Sequence, residues 1–280
     1  ETLKNIARYE DILNNYDSMA EVIIEDLEHF KKEYARKRRT VVENGQEAVY
    51  EEKKVEEQEV VFLMDRFGYA KTVDVATYER NKEAADAENK WIVNCINTGK
   101  LCVFTNTGKM HQIKVLDLPY GKFRDKGIPI DNLSNYDSSE ENFIYIINLG
   151  AIIHSRLLFG TKTAMLKMVD GSEFDVAKRT TASTKLNEDD ELLIVHAMTG
   201  EETVVMQSEK EMFLRIEAST IPEKKKGAVG VRGMKLNAGD ALSNIYVLDG
   251  ESEQTVEVKG KEVVLNRLRV GNRDTKGTKR

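Results

Sequence analysis

Only two cysteines, Cys95 and Cys102, occur in the 280 residues. That excludes a disulfide scaffold and a cysteine-based zinc site. Three prolines are too few for a proline-rich linker, and eighteen glycines exclude a collagen-like or low-complexity chain. No run approaches the roughly 18 apolar residues of a membrane span. The first residues, ETLKNIARYEDIL, lack the basic start and apolar centre of a signal peptide. Neither G-x-x-x-x-G-K-[ST] nor G-x-G-x-x-G occurs; Gly227–Gly233 is glycine-rich but reads as a basic loop. His29, His111, His154 and His196 are scattered, with no carboxylate or thiol at ligand spacing. Asp189-Asp190-Glu191 reads as turn solvation rather than a catalytic carboxylate pair. Trp91 opens a strand and reads as core. The expectation is a soluble, cytoplasmic chain without a metal, without a membrane and without catalysis of its own.

The formal net charge of −6 argues at first sight against a nucleic-acid partner. Its distribution changes that. Residues 1–60 hold sixteen acidic and ten basic side chains, and residues 61–280 hold thirty-two of each. The whole excess lies in the first fifth. The last 21 residues hold seven basic side chains against Glu262 and Asp274.

Residues 1–43 read as helical. Ile6, Tyr9, Ile12 and Leu13 recur at three- and four-residue spacing, and Asn14-Asn15 breaks the pattern. Asp17 or Ser18 is expected to cap a second helix, with Met19, Val22, Ile23, Asp26, Leu27, Phe30 and Tyr34 on one face. The basic cluster Arg36, Lys37, Arg38 and Arg39 is expected at its C-terminal end. Two helices bury little alone, so they are expected to pack on another chain or on another part of the protein. Residues 44–57 are polar, without a period, and read as a linker. From residue 58 the texture becomes short apolar runs, VVFLM, WIVNCI, LCVF, FIYIINL, LLIVHAM and NIYVL, punctuated by Gly, Asn and Asp. These are strand-like, and residues 58–280 read as all-β.

An internal repeat runs through that region. Five segments pair an apolar strand, a turn and an apolar–basic–apolar strand: VVFLMDRFGYAKTV from Val60, LCVFTNTGKMHQIKV from Leu101, RLLFGTKTAMLKMV from Arg156, TVVMQSEKEMFLRI from Thr203 and TVEVKGKEVVLNRL from Thr255. Their turns are expected at Arg66-Phe67-Gly68, Asn106-Thr107-Gly108, Gly160-Thr161, Ser208-Glu209 and Lys259-Gly260. The basic residue falls at Lys71, Lys114, Lys167, Arg215 and Arg267, at intervals of 43, 53, 48 and 52. About ten residues later comes a polar, basic loop. The cations are Arg80 and Lys82; Lys122, Arg124 and Lys126; Lys178 and Arg179; Lys224, Lys225, Lys226 and Arg232; and Arg273, Lys276 and Lys279. Further strands, Trp91–Ile96, Phe143–Ile147, Leu192–His196 and Asn244–Leu248, complete units of four strands, which are propeller-like blades.

A positive side chain at one structural position in every unit would give a ring of charge on one rim. Solvated strand faces also carry lysines, so this pattern alone leaves a neutral reading open. Duplex DNA carries one charge per about 1.7 Å of axis and is stiff over about 150 bp. A rigid basic rim offsets its bending cost, and glycines in the loops would let backbone N–H groups approach phosphates.

Glu21–Val42, EVIIEDLEHFKKEYARKRRTVV, resembles the end of the coiled coil in the A subunit of bacterial type IIA topoisomerases, DNA gyrase and topoisomerase IV, with Leu27, Lys32, Tyr34, Arg38, Arg39 and Thr40 matching. Phe62–Tyr78 resembles the family's first C-terminal blade through Gly68, Tyr69 and Lys71. Val103–Pro119, the Lys126-Gly127-Ile128 loop and Asn132-Leu133 resemble its second. The resemblance covers about residues 5–277. It implies a β-pinwheel, a propeller-like disc of five or six four-stranded blades preceded by a short coiled-coil helical segment, binding and bending double-stranded DNA on its outer rim without reading bases. It also implies a bacterial, nucleoid-associated setting. The partners implied are a second A subunit plus a topoisomerase B subunit, with magnesium and ATP in the whole enzyme and no cofactor in this segment. Two features depart from the family. The basic glycine-rich box of gyrase is missing after Lys71, which favours a relationship to topoisomerase IV or to a divergent gyrase. Ala7-Arg8-Tyr9-Glu10 is similar to the family's nucleophile motif but lies on an ordinary helix, so Tyr9 is expected to be structural. The rival expectation is a propeller that holds a protein partner on its face; a glycan- or nucleotide-processing propeller is a distant third, since no acid/base pair converges.

Overall fold

The computed structural model describes residues 1–40 and 55–280. The chain divides into two compact units, Glu1–Lys54 and Val55–Arg280. Most of the expected linker, residues 44–57, and the end of the expected helical tail lie outside the described residues. No helix among those described is long and apolar enough to cross a membrane.

The first unit contains α1 (Thr2–Asn14) and α2 (Tyr16–Tyr34). The cap of α2 differs from expectation. Asn15 is the N-cap, its side-chain oxygen accepting from the Asp17 amide at 3.1 Å, and Asp17 falls in the first turn. Asn15 is extended, with φ −121° and ψ 117°, which frees its amide oxygen for that bond. The helix ends at Tyr34, so Arg36–Arg39 lie beyond the last turn rather than on it.

In the second unit each of the five repeated segments forms an antiparallel hairpin. These are β1 (Glu59–Asp65) with β2 (Tyr69–Asp74), and β4 (Lys100–Thr105) with β5 (Lys109–Lys114). Next come β8 (Arg156–Thr161) with β9 (Met165–Asp170), and β12 (Thr203–Ser208) with β13 (Met212–Glu217). The last is β16 (Thr255–Val258) with β17 (Lys261–Val264). The expected closing strands are β3 (Asn89–Ile96), β7 (Phe143–Asn148), β11 (Leu192–Met198) and β15 (Leu242–Leu248). Four very short strands carry no signal in the sequence: β6 (Ile128–Pro129), β10 (Thr180–Ala182), β14 (Val231–Arg232) and β18 (Thr278–Lys279).

The sheets run β3-β1-β2-β6, β7-β4-β5-β10, β11-β8-β9-β14 and β15-β12-β13-β18, with β16-β17 as a two-stranded fifth. The fourth strand of every complete sheet therefore comes from the chain that follows the next hairpin. A four-strand blade made from one continuous segment, as expected, is corrected to a blade completed by its successor. Among the described residues four blades have four strands and one has two.

β3 touches β7, β7 touches β11 and β11 touches β15. These strands stand side by side at one edge of their sheets, and β6, β10, β14 and β18 form the opposite, outer edges. Consecutive sheets stack through apolar layers, such as Val60, Phe62, Val103 and Ile113 between the first and second. Covering both faces explains why β1, β4, β8 and β12 read as continuous apolar runs rather than alternating ones. Among the described residues no blade precedes the first sheet on its other face. Two short helices after β2, α3 (Val75–Arg80) and α4 (Lys82–Glu88), supply Tyr78 and Ala85 to cover Val61, Leu63 and Val73. A third, α5 (Leu149–Ile152), follows β7.

Phe104 anchors the second layer. Its ring meets Phe159 and Phe174 edge-to-face at 5.9 and 5.2 Å between centroids, and it is fully buried. Phe104→Ala is expected to cost about 3–5 kcal/mol in urea unfolding. Phe67→Ala, at a hairpin tip, is expected to change stability by less than about 0.5 kcal/mol.

Candidate nucleic-acid interface

Each hairpin turn ends on a residue with positive φ: Gly68 (85°), Gly108 (75°), Ala164 (65°), Glu211 (64°) and Gly260 (76°). The third and fourth turns fall later than the expected Gly160-Thr161 and Ser208-Glu209, because β8 and β12 run on through Thr161 and Ser208, and Ala164 and Glu211 close these turns in the left-handed region. These residues give the units a common frame. Lys71 and Lys167 stand three positions after them, Arg215 four, Lys114 six and Arg267 seven. The expectation of one basic residue at one structural position is thereby corrected.

Three of the five repeat cations, Lys71, Lys167 and Arg215, are held by protein acceptors. Lys167 is 1% exposed, and its Nζ donates to the carbonyls of Lys225 (3.3 Å), Lys226 (2.8 Å) and Ala228 (2.9 Å). Burial pushes its pKa down to about 8, which leaves the ammonium charged at neutral pH with all three N–H bonds used. Lys71 donates to the carbonyls of Phe123 and Asp125, the latter at 2.9 Å. Arg215 bonds Thr203 Oγ1 at 2.9 Å and the carbonyls of Asn266 and Leu268 at 2.5 and 3.4 Å. In each case the cation lies on one hairpin and the carbonyls belong to the loop after the next. Lys114 is exposed at the end of β5, and Arg267 pairs with Glu253 at 3.2 Å on the surface.

The second blade solves the same junction differently. His111 takes the place of Lys71 and Lys167, buried between Thr180 Oγ1 (Nδ1, 3.0 Å) and Glu141 Oε2 (Nε2, 2.8 Å). Glu141 is also buried, and Lys109 Nζ reaches its other oxygen at 2.7 Å. Burial works against its charge, yet bonds from Lys109 and His111 hold its pKa below the ordinary value. The next residue, Gln112, donates to the carbonyl of Phe174 at 2.8 Å. None of these partners shares a motif in sequence; they are 30 to 69 residues apart.

Two of the loop glycines have a packing role, while the space around Gly227 is open. A Cβ on Gly127 or Gly230 would fall onto the backbone of Ala70 or Leu166. These glycines bring the edge strands β6 and β14 against β2 and β9, the strands that carry Lys71 and Lys167.

What remains outward is the side chains of the same loops. Lys122, Arg124 and Lys126 are exposed between β5 and β6, Lys178 and Arg179 between β9 and β10, Lys224 and Lys225 between β13 and β14, and Lys276 before β18. Lys126 lies over the Tyr69 ring at 4.5 Å, and Lys225 lies 3.4 Å from Glu173. Lys226 is half-buried, with Nζ on the Glu173 carbonyl at 2.6 Å. Arg232 and Lys279 are exposed on the edge strands themselves; Arg232 pairs with Asp274 at 3.4 Å, and Arg273 bonds the Arg232 carbonyl at 3.0 Å. The arrangement thus sorts cations into an inner set that holds loops and an outer set that solvent reaches.

Propeller-like sheets that exchange their outer strands, with cationic loops along the exchanged edge, define the class. Residues 155–196 and 202–249 match the family model "DNA gyrase C-terminal domain, beta-propeller". The chain is 27% identical over 298 residues to the A subunit of DNA gyrase from Staphylococcus epidermidis, covering 100% of this chain and 33% of that one. It is 28% identical to the DNA gyrase A subunit of Lawsonia intracellularis over 292 residues, 97% of this chain and 35% of that one. The chain therefore spans about a third of the curated relatives it matches. Its fold is similar to the C-terminal domain of DNA topoisomerase IV (TM-score 0.71, 21% identity, 80% of this chain and 73% of that one). It is also similar to the E. coli ParC C-terminal domain (TM-score 0.66, 15% identity, 80% and 94%). The chain is thus similar in sequence to DNA gyrase A subunits and in fold to the C-terminal domain of DNA topoisomerase IV.

Lys167→Met removes three charge-assisted bonds and takes the donor from the Lys226 and Ala228 carbonyls, while the Lys225 carbonyl keeps the Ala228 amide. It is expected to lower stability by about 1–3 kcal/mol and to speed amide exchange at Gly227 and Ala228. Lys224→Met, on an exposed side chain of the same loop, should change neither in unfolding and exchange experiments.

Proposed function

We propose that the Val55–Arg280 unit binds duplex DNA along its outer edge, bends it without reading bases, and presents it for ATP-dependent strand passage by a larger type IIA topoisomerase. The observation that carries this reading is the recurrence of exposed cations on the loops that join the outer edges of consecutive sheets, each loop fixed from behind. Lys122, Arg124, Lys126, Lys178, Arg179, Lys224, Lys225, Lys276 and Lys279 are the phosphate contacts, with Arg232 and Arg273 beside them. Lys71, Lys167, Arg215 and Lys226 shape the surface rather than touch DNA. Partners in the whole enzyme are a B subunit plus a second A subunit, and the setting is the bacterial cytoplasm.

Among the described residues no three His, Cys, Asp or Glu side chains gather as a metal cluster. Magnesium and ATP belong in this proposal to the remainder of the whole enzyme. Where gyrase carries a basic box, this chain builds α3 and α4, which hold Glu79, Glu83, Asp86 and Glu88 against Arg80 and Lys82. That acidic stretch favours bending without a full chiral turn, the topoisomerase IV-like behaviour.

Binding to a duplex is expected to fall steeply with salt and to show little sequence preference. Lys225→Gln should reduce the slope of log K against log salt by about 0.9, the value for one phosphate contact, while Lys167→Met leaves the slope unchanged. Salt-independent binding, or none at low salt, would sink the reading. With relaxed plasmid and a nicking-closing enzyme, the expected linking change is near zero despite binding; a large one would restore chiral wrapping.

A further inference from the structure

Phe67 is 80% exposed at the tip of the β1-β2 hairpin. A single exposed apolar side chain is ordinary by itself. The repeat makes this one informative. The residue before the positive-φ position is polar in every other unit and is used by the protein. Thr107 Oγ1 lies 3.0 Å from Thr105 Oγ1, and Thr163 Oγ1 donates to Asp190 at 2.6 Å. Lys210 Nζ donates to the Ala238 carbonyl at 2.9 Å, and Lys259 Nζ to Glu211 at 2.7 Å. In the first unit alone that place holds a large ring directed at solvent.

The tip beneath it is rigid. Asp65 Oδ1 accepts from the amides of Phe67 (2.8 Å) and Tyr69 (2.9 Å), and the Gly68 carbonyl accepts from Ile130 at 3.0 Å. The ring therefore stands on a fixed backbone rather than a mobile loop. Cations surround it: Arg66 precedes it in the chain, and Lys126 and Lys90 line the hollows on its two sides. The nearby carboxylates are engaged, Asp65 as described, Asp125 by the Lys122 amide at 2.8 Å and Asp131 by Ser138 at 2.7 Å. Glu88 lines the same hollow as Lys126. A rigid apolar ring flanked by cations next to the outer-edge loop 121–127 matches the chemistry of a base step, which offers an apolar stack edged by phosphates.

We infer that Phe67 is a wedge that inserts between base pairs of the bound duplex and fixes a kink at the first blade. This rests on the DNA-binding reading above. The kink should fall preferentially at pyrimidine–purine steps, the easiest to unstack.

The test uses the 280-residue chain and 40-bp duplexes carrying 2-aminopurine at a central TA step or at an A-tract, with end-to-end energy transfer reporting the bend. The intact chain and Phe67→Trp should raise 2-aminopurine emission at the TA step about 3-fold or more and shorten the end-to-end distance. Phe67→Ala should lose the emission rise and part of the bend, while its affinity at low salt stays within about 3-fold. The inference is overturned if Phe67→Ala keeps the emission rise, or if the intact chain binds and bends the duplex without one. If the intact chain binds no duplex, the DNA-binding reading fails first and takes the wedge with it.

Discussion

A cation on one hairpin, donating into backbone carbonyls of the loop that follows the next hairpin, is the contact on which the architecture of the second unit depends. Loops that run beside buried strands leave carbonyls facing inward, away from water, and each needs a donor. Lys167 supplies three bonds at once, and Arg215 and Lys71 supply two each to such loops. Taking an ammonium out of water is costly, and only a nearly complete set of acceptors offsets that cost. The same junction delivers the fourth strand of the earlier sheet, so a blade is finished only when its successor is in place. Stability in such a chain is shared between neighbours, and each boundary works as a unit.

Variation at the junction follows from chemistry rather than from the identity of one residue. In the first and third blades a lysine three residues after the turn works with a glycine, Gly127 or Gly230, that lets the incoming strand lie close. In the second, Thr180 stands where those glycines stand, and its hydroxyl requires a partner. His111 meets it, and Glu141 balances the other ring nitrogen. In the fourth, the donor moves one residue on to Arg215, whose longer reach and several N–H groups find the carbonyls of residues 266 and 268. Lys71, Lys167 and Arg215 donate to backbone carbonyls after the next hairpin, whereas His111 bonds side chains and its neighbour Gln112 reaches the Phe174 carbonyl.

Much of the framework is legible in the sequence because its physics is local. All five hairpins and the four inner strands, β3, β7, β11 and β15, stand where apolar runs place them. The edge strands are not legible, since two residues such as Val231-Arg232 carry no periodicity; they are strands only because β9 lies beside them. The third and fourth turns shift from their expected places for a similar reason. Nothing in Ala164 or Glu211 announces a left-handed backbone, which Thr161 and Ser208 stabilise by accepting bonds across the turn. The cap of α2 moves from Asp17 to Asn15 because several residues there can accept a bond, and backbone geometry selects among them. The recurring basic residue is real in sequence and different in space, because a strand places successive side chains on opposite faces. Lys71 and Lys114 are equivalent in the repeat pattern and three positions apart in the frame of the turn.

That difference changes how charge should be counted. The β region is neutral in sum, but the sum mixes cations whose charge is spent on carbonyls with cations that face water. Lys167 adds to the total and offers nothing to a phosphate. Lys224 and Lys225 add the same amount and face solvent on the loop that Lys167 holds. A long-range field includes both, yet a phosphate approaching within a Debye length of about 8 Å meets chiefly the outer set. The acidic helices α3 and α4 interrupt that set at the first blade, where they cover an apolar face that no preceding sheet among the described residues covers. Packing placed them there, and their charge follows from being a solvated lid. The consequence for any bound polyanion is geometric: the positive edge has a defined start, beside the hairpin tip that carries Phe67, and runs from there along the exchanged strands.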